Sequence, residues 1–191
     1  MTPSSLVSKE VMRDALMRAG GALSDLLERK FEVSEITLSH CEPAELPGIL
    51  GDEAMPVCAS FFQVRGEIPG FLLLIMPLGE VETFLEPLLG DAPADHEMAD
   101  SAFGEVGNVV GSSFLNYIAD YYHTYAAPTP PQVFRDMIGA LMGSLAAVFV
   151  EEGDCKVPIV RTVFTQATGR SAALLLWIPY ELSLADLRRS P

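Results

Sequence analysis

The sequence predicts an α+β domain with a pseudo-twofold repeat: two antiparallel β-hairpins merged into one sheet, with long helices packed on it. Three observations carry this expectation. First, a block of sequence is written twice. Phe62-Gln-Val-Arg-Gly-Glu-Ile-Pro-Gly-Phe-Leu-Leu-Leu-Ile-Met-Pro77 aligns without a gap with Phe164-Thr-Gln-Ala-Thr-Gly-Arg-Ser-Ala-Ala-Leu-Leu-Leu-Trp-Ile-Pro179. Second, each block follows a long segment whose apolar residues recur at helical spacing. Third, 49% of the 191 residues are hydrophobic. A chain of that size hides roughly 70% of its unfolded surface on folding, enough for a sizeable core.

The elements follow in order. A helix is expected from about Ser8 to Phe31, with Ser8 as its N-cap. Cys41–Gly51, with Pro43 and Pro47, is a shorter irregular region. Val57–Val64 and Gly70–Met76 form the first hairpin, followed by the short acidic amphipathic segment Glu80–Leu89. Gly90-Asp-Ala-Pro-Ala-Asp-His96 is a polar connector. The second half has a helix over about Glu97–Tyr122, an extra helical stretch over Pro131–Val150, and a hairpin of Ile159–Gln166 with Ala172–Ile178. Glu181–Leu187 is its acidic tail segment. The chain thus reads as a single domain over 1–191, with halves at about 8–89 and 97–187.

Charge and composition narrow the function. With 12 Lys+Arg against 26 Asp+Glu the net charge is −14, a field that repels nucleic acid and anionic membranes. The apolar runs Phe71–Met76 and Ala172–Ile178 are far shorter than the ~20 residues a bilayer requires. The N-terminal residues lack the basic and apolar regions of a signal peptide, so a cytoplasmic location is expected. Cys41, Cys58 and Cys155 have unpatterned spacing, which suits small buried groups in a reducing compartment. His40, His96 and His123 are scattered without ligand spacing, and no metal site is expected.

The second long helix carries the chemistry. On a helical wheel Phe103, Val106, Val110, Phe114, Tyr117 and Ile118 form the core stripe. Ser101, Glu105, Asn108 and Ser112 fill a narrow sector opposite, and Gly104, Gly107 and Gly111 lie between. Each glycine inside a helix costs roughly 0.5–1 kcal/mol relative to alanine, so the three need a reason. One reason is close packing on the sheet or the other helix; the other is a bare surface that admits a partner's backbone. From the residues alone, Glu105 and Asn108 are an exposed carboxylate–carboxamide pair of unknown use.

The run Asp100-Ser-Ala-Phe-Gly-Glu-Val-Gly-Asn-Val-Val-Gly-Ser-Ser113 resembles the active-site helix of the CheC / CheX / FliY family of chemotaxis phosphatases. That family's pattern is Asp or Ser, three residues, Glu, two residues, Asn, twenty-two residues, Pro. Ser101, Glu105, Asn108 and Pro131 fill its four positions at those spacings. Asp136-Met-Ile-Gly-Ala-Leu-Met-Gly-Ser144 is similar to the family's next helix, and the two-halved layout resembles CheC over nearly the whole chain.

The resemblance implies hydrolysis of the aspartyl phosphate on a CheY-like response regulator. Asn108 would position water, Glu105 would pair with a regulator lysine, and Ser101 and Pro131 would support the site. Mg²⁺ would belong to the regulator, with no cofactor of the chain's own. Aligning Ala22-Leu-Ser-Asp-Leu-Leu27 with the family's helix sets Glu10 opposite Glu105, Arg13 opposite Asn108 and Ile36 in the proline's place. The first site is therefore expected to be degenerate, since arginine offers donors only. The resemblance also admits a receptor deamidase, CheD, as partner. Two readings besides the phosphatase stay open: a non-catalytic adaptor binding CheD or a regulator, and a fold that has lost its activity.

Overall fold

The computed structural model describes residues 9–90, 95–153, 156–166 and 171–180. In chain order they form α1 (Lys9–Leu27), β1 (Phe31–Cys41), a 3-10 helix over Pro43–Gly48, β2 (Pro56–Gly66) and β3 (Gly70–Pro77). A 3-10 turn over Leu78–Glu80 leads into α2 (Val81–Leu89). After it come α3 (His96–Tyr122), β4 (Ala126–Pro128), β5 (Gln132–Met137), α4 (Ile138–Glu152), β6 (Val157–Gln166) and β7 (Ser171–Pro179). The expected cap Ser8, the tail segment 181–187 and Cys155 lie outside the described residues.

The strands make one seven-stranded sheet in the order β1-β6-β7-β3-β2-β4, with β5 also pairing to β2, and every pairing is antiparallel. The expected α+β class and both hairpins are present. The order is symmetric: β7 and β3 meet at the centre, and each hairpin takes its outer neighbour from the other half of the chain. Thus β1 pairs with β6, and β4 and β5 pair with β2.

Strand alternation sends successive side chains to opposite faces, and each face has its own core. On one face Phe62, Leu72, Leu74, Met76, Phe164, Leu175 and Trp177 pack with the apolar stripes of α1, α2 and α3. On the other, Phe71, Leu73, Ile75, Leu176 and Ile178 pack with α4 and with Leu46 of the 3-10 segment. The result is three layers, with both long helices on the same side.

The structure corrects three sequence expectations. The first helix ends at Leu27, after which Glu28 takes a left-handed φ of 49°; Phe31 already belongs to β1. Ser24 marks this exit, its Oγ donating to the Gly20 carbonyl at 2.7 Å and accepting from the Phe31 amide at 3.0 Å. β1 itself was absent from the sequence reading. It is an edge strand with only its two end residues buried, so it shows little apolar alternation.

Second, the stretch expected to be helical from Pro131 begins as strand β5, and α4 starts only at Ile138. Third, the gapless repeat slips by one residue in its second strand. Phe62 faces Leu72 whereas Phe164 faces Ala173, so Leu72, Leu74 and Met76 correspond to Ala173, Leu175 and Trp177. The irregularity between Phe164 and Thr165 absorbs the difference. A one-residue slip would have turned every side chain of β7 to the wrong face.

Candidate functional site

α3 is fixed at both ends and along its inner side. Asp95 caps it, accepting from the Met98 amide at 2.8 Å, and His123 closes it with a left-handed φ of 53°. Phe103, Val106, Val110, Phe114 and Ile118 are fully buried, and Phe114 meets Trp177 edge-on at 5.3 Å. Tyr117, expected in that stripe, lies at its margin. Its hydroxyl donates to Asp14 of α1 at 3.3 Å, and the Arg18 guanidinium lies 5.5 Å from its ring centre.

The three glycines are explained by packing. A Cβ at Gly107 would stand 2.7 Å from Ser60 Cβ and 3.1 Å from Phe62 Cζ, with Ser60 Oγ closer still; one at Gly111 would stand 2.8 Å from Leu72 Cδ2. These glycines let the helix backbone rest directly on β2 and β3. Gly104 faces β5 instead: its Cβ would lie 3.4 Å from Pro131 Cγ and 3.4 Å from Val133 Cγ2. None of the three opens a surface for a partner's backbone.

On the outer side Ser101 and Glu105 are exposed, while Asn108 and Ser112 are half-buried. Ser112 Oγ donates to Asn108 Oδ1 at 3.5 Å, the long limit for such a bond. Ser101 and Glu105 have no hydrogen-bond or ion-pair partner among the described residues. The Gly104 contact seats Pro131 on the helix one turn from Ser101 and Asn108 and beside Glu105. Residues far apart in sequence therefore share one face, although strand rather than helix follows the proline. α3 contains no Lys or Arg, so its outer face is acidic.

This face can hold a cation at the Glu105 carboxylate and water at the Asn108 carboxamide. Among the described residues, no group of three or more His, Cys, Asp and Glu is placed to hold a metal ion. The three histidines are exposed. Cys41 and Cys58 are buried free thiols, and burial pushes the Cys58 thiol up to about 12, Arg135 and Asp100 acting on it in opposite directions. No described helix is long and apolar enough to cross a membrane.

No family model matches the chain. The CheY-P phosphatase CheC of Bacillus subtilis (strain 168) is 26% identical over 167 residues, covering 84% of this chain and 80% of that protein. The Thermotoga maritima FliY structure superposes with a TM-score of 0.70 at 14% identity, covering 98% of this chain and 96% of that one. A CheX solved with CheY, BeF3 and Mg²⁺ from Borrelia burgdorferi gives 0.59 at 17% identity, over 90% and 97% of the two chains. The chain is thus similar to CheC in sequence and to FliY and CheX in fold.

In this CheC-like chain, packing sets a different register for α1 than the one expected from the sequence. Glu10 and Arg13 are exposed, but Glu10 sits in the first described turn, whereas Glu105 is more than two turns into α3. The buried residues Met12, Leu16, Ala19, Leu23 and Leu27 match Ala99, Phe103, Val106, Val110 and Phe114 one for one. Gly20 packs on Phe164 as Gly107 packs on Phe62. That register sets Asp14 opposite Ser101, Arg18 opposite Glu105 and Gly21 opposite Asn108. In that register the exposed Met17, not a glycine, stands opposite Gly104, where Pro131 is seated in the second half.

The sequence reading also missed Arg135 and Asp100, whose Nε and Oδ1 lie 2.6 Å apart between β5 and α3. The signal was present in Gln132-Val-Phe-Arg-Asp-Met137, where period-two alternation points Val133 and Arg135 the same way as Pro131.

Proposed function

We propose that this CheC-like chain hydrolyses the aspartyl phosphate of a CheY-like response regulator, with one working site on α3. The observation that carries this reading is the exposed Glu105–Asn108 pair on a lysine- and arginine-free helix face, with Pro131 seated beside it on Gly104.

The chemistry asks little of the protein beyond placement. An acyl phosphate is already reactive, and its transfer passes through a loose transition state. A water oxygen bonds to phosphorus as the bond to the aspartyl oxygen breaks. The regulator's carboxylate leaves, and the water's proton passes to the phosphate released or to solvent. Holding that water in line is worth much of the acceleration. The Asn108 carboxamide both accepts and donates, and being neutral it does not repel the phosphoryl oxygens. Ser112 Oγ stands 3.5 Å from Oδ1, near enough to orient that carboxamide only if the contact shortens on docking.

Glu105 accepts a charge-assisted hydrogen bond from a lysine ammonium beside the phosphorylated aspartate, fixing the helix in register. Ser101 and Pro131 shape the docking surface. Mg²⁺ is held by the regulator and supplies charge neutralisation there. In α1, Arg18 in place of the carboxylate would repel the same lysine, and Gly21 offers no group to hold water, which leaves that face inactive. A CheD-like deamidase as a second partner rests on the family resemblance alone. No observation favours a purely adaptor role.

The test is the decay of a phosphorylated CheY-like regulator with Mg²⁺, with wild type and with Asn108→Ala. Wild type should accelerate decay, and the variant should lose that by roughly 10²-fold, the usual cost of losing placement of a reacting group. Equal acceleration by both would move the site off Asn108. No acceleration by either would remove the enzymatic reading.

A further inference from the structure

Strand β5 sits at the margin of the sheet, hydrogen-bonded to β2 on one side, and none of its six residues is buried. A strand so poor in buried surface is held weakly by the hydrophobic effect. Yet it follows immediately on Pro131. Alternation along the strand turns Pro131, Val133 and Arg135 toward α3, with Gln132, Phe134 and Asp136 on the other face. The inward residues meet successive turns of α3. Arg135 Nε donates to Asp100 Oδ1 at 2.6 Å, and Val133 and Pro131 lie against Gly104, four residues on. The ion pair is only partly exposed, at 25% for Arg135 and 35% for Asp100, so water screens it less than it would a fully exposed pair.

We propose that Arg135 and Asp100 are positioning residues for regulator docking: their ion pair clamps β5 to α3 and so holds Pro131 in the docking face beside Glu105. This rests on the phosphatase reading above. The division of labour follows from how each part is anchored. α3 is fixed by its own buried stripe and its cap, so Asn108 stays in place when β5 loosens. Pro131 is exposed; its neighbours Thr129 and Gln132 are bonded to β2, so its hold on α3 itself comes from Gly104, Val133 and the clamp. Breaking the clamp should therefore weaken docking and leave the chemical step intact.

The experiment compares wild type, Arg135→Met, Arg135→Lys and Asp100→Asn in steady-state phosphate release from the phosphorylated regulator. Amide hydrogen exchange of β5 is followed in the same proteins without regulator. Arg135→Met should raise KM roughly tenfold with kcat within about twofold, equivalent to about 1.4 kcal/mol of lost docking. Exchange at Val133 and Arg135 or its replacement should quicken by a similar factor while exchange in the middle of α3 is unchanged. Arg135→Lys, which keeps a charge able to reach Asp100, should recover most of the KM.

An unchanged KM in folded Arg135→Met would overturn the proposal, as would a fall in kcat instead. Unchanged β5 exchange would overturn the clamp whether or not the regulator is turned over. Absence of phosphatase activity in wild type would count against the functional reading alone, because the exchange measurement still decides the clamp.

Discussion

Replacing Gly107 by alanine sets two effects of opposite sign against each other. Alanine is the better helix former by about 1 kcal/mol, so propensity alone predicts a stabler protein. The new methyl group, however, would lie 2.7 Å from Ser60 Cβ and 3.1 Å from Phe62 Cζ, where both partners are fully buried on β2. Such overpacking costs roughly 1–3 kcal/mol because neither the sheet nor the helix can yield freely. The clash should win, by a net of up to about 2 kcal/mol.

In a domain of this length that corresponds to a fall in Tm of up to about 8 °C, readable by calorimetry or urea unfolding. The Ser60 hydroxyl has no hydrogen-bond partner among the described residues. Ser60→Ala should thus cost little alone and should recover at least about 0.5 kcal/mol in the double variant, as expected of directly touching sites. A Gly107→Ala protein as stable as wild type, or strict additivity with Ser60→Ala, would refute the reasoning.

Two glycines of α4 should respond oppositely to alanine: Gly143 has nothing within 4 Å and should gain about 0.5–1 kcal/mol. Gly139 would bring its Cβ to 2.7 Å from Glu53 Cβ and 3.0 Å from the Glu53 carbonyl, and should lose about 1–3 kcal/mol in the same unfolding assay. The Cys58 thiol is pushed from 9.0 up to about 12 by burial, so the folded state holds the proton more tightly than the unfolded one. Its contribution to stability is complete below pH 9 and is lost as pH rises from about 9 to about 12. Cys58→Ala should flatten that part of a pH–stability curve. On the proposed function, Glu105→Arg should weaken regulator binding by an amount that shrinks as salt is raised, because the site is exposed. A salt-independent effect, measured by titration calorimetry, would argue for a packing role instead.

The sequence conveyed the parts of the fold that bury large, regular apolar surfaces. β2, β3, β6 and β7 announced themselves through apolar runs punctuated by glycine and proline, and α3 through its stripe. What escaped it were elements stabilised mainly by pairing. β1 hides its register at the edge, and β5, with alternating half-buried and exposed residues, reads as the start of α4. The site residues on α3 were legible because a single helix displays them at fixed spacing. Pro131 reaches that face only through β5, a strand paired to β2 at the sheet margin. The α1 register went astray because it was set by aligning Ala22–Leu27 with the family's helix, whereas the fold matches Gly20 with Gly107 through the phenylalanines beneath them.

The crossing of strands between the two ends of the chain has a consequence for synthesis. Phe31 pairs with Gln166 and Cys41 with Val157, while the outer edge of β2 waits for Ala126–Pro128 and Gln132–Met137. A nascent chain that has emerged only as far as α2 thus holds a hairpin without its flanking strand, and a flanking strand without its hairpin. Neither can be closed by local contacts, a topology that slows folding and leaves bare strand edges on the way. Severing the chain between α2 and α3 should accordingly give two pieces that fold only as a non-covalent pair, each being the template on which the other is completed.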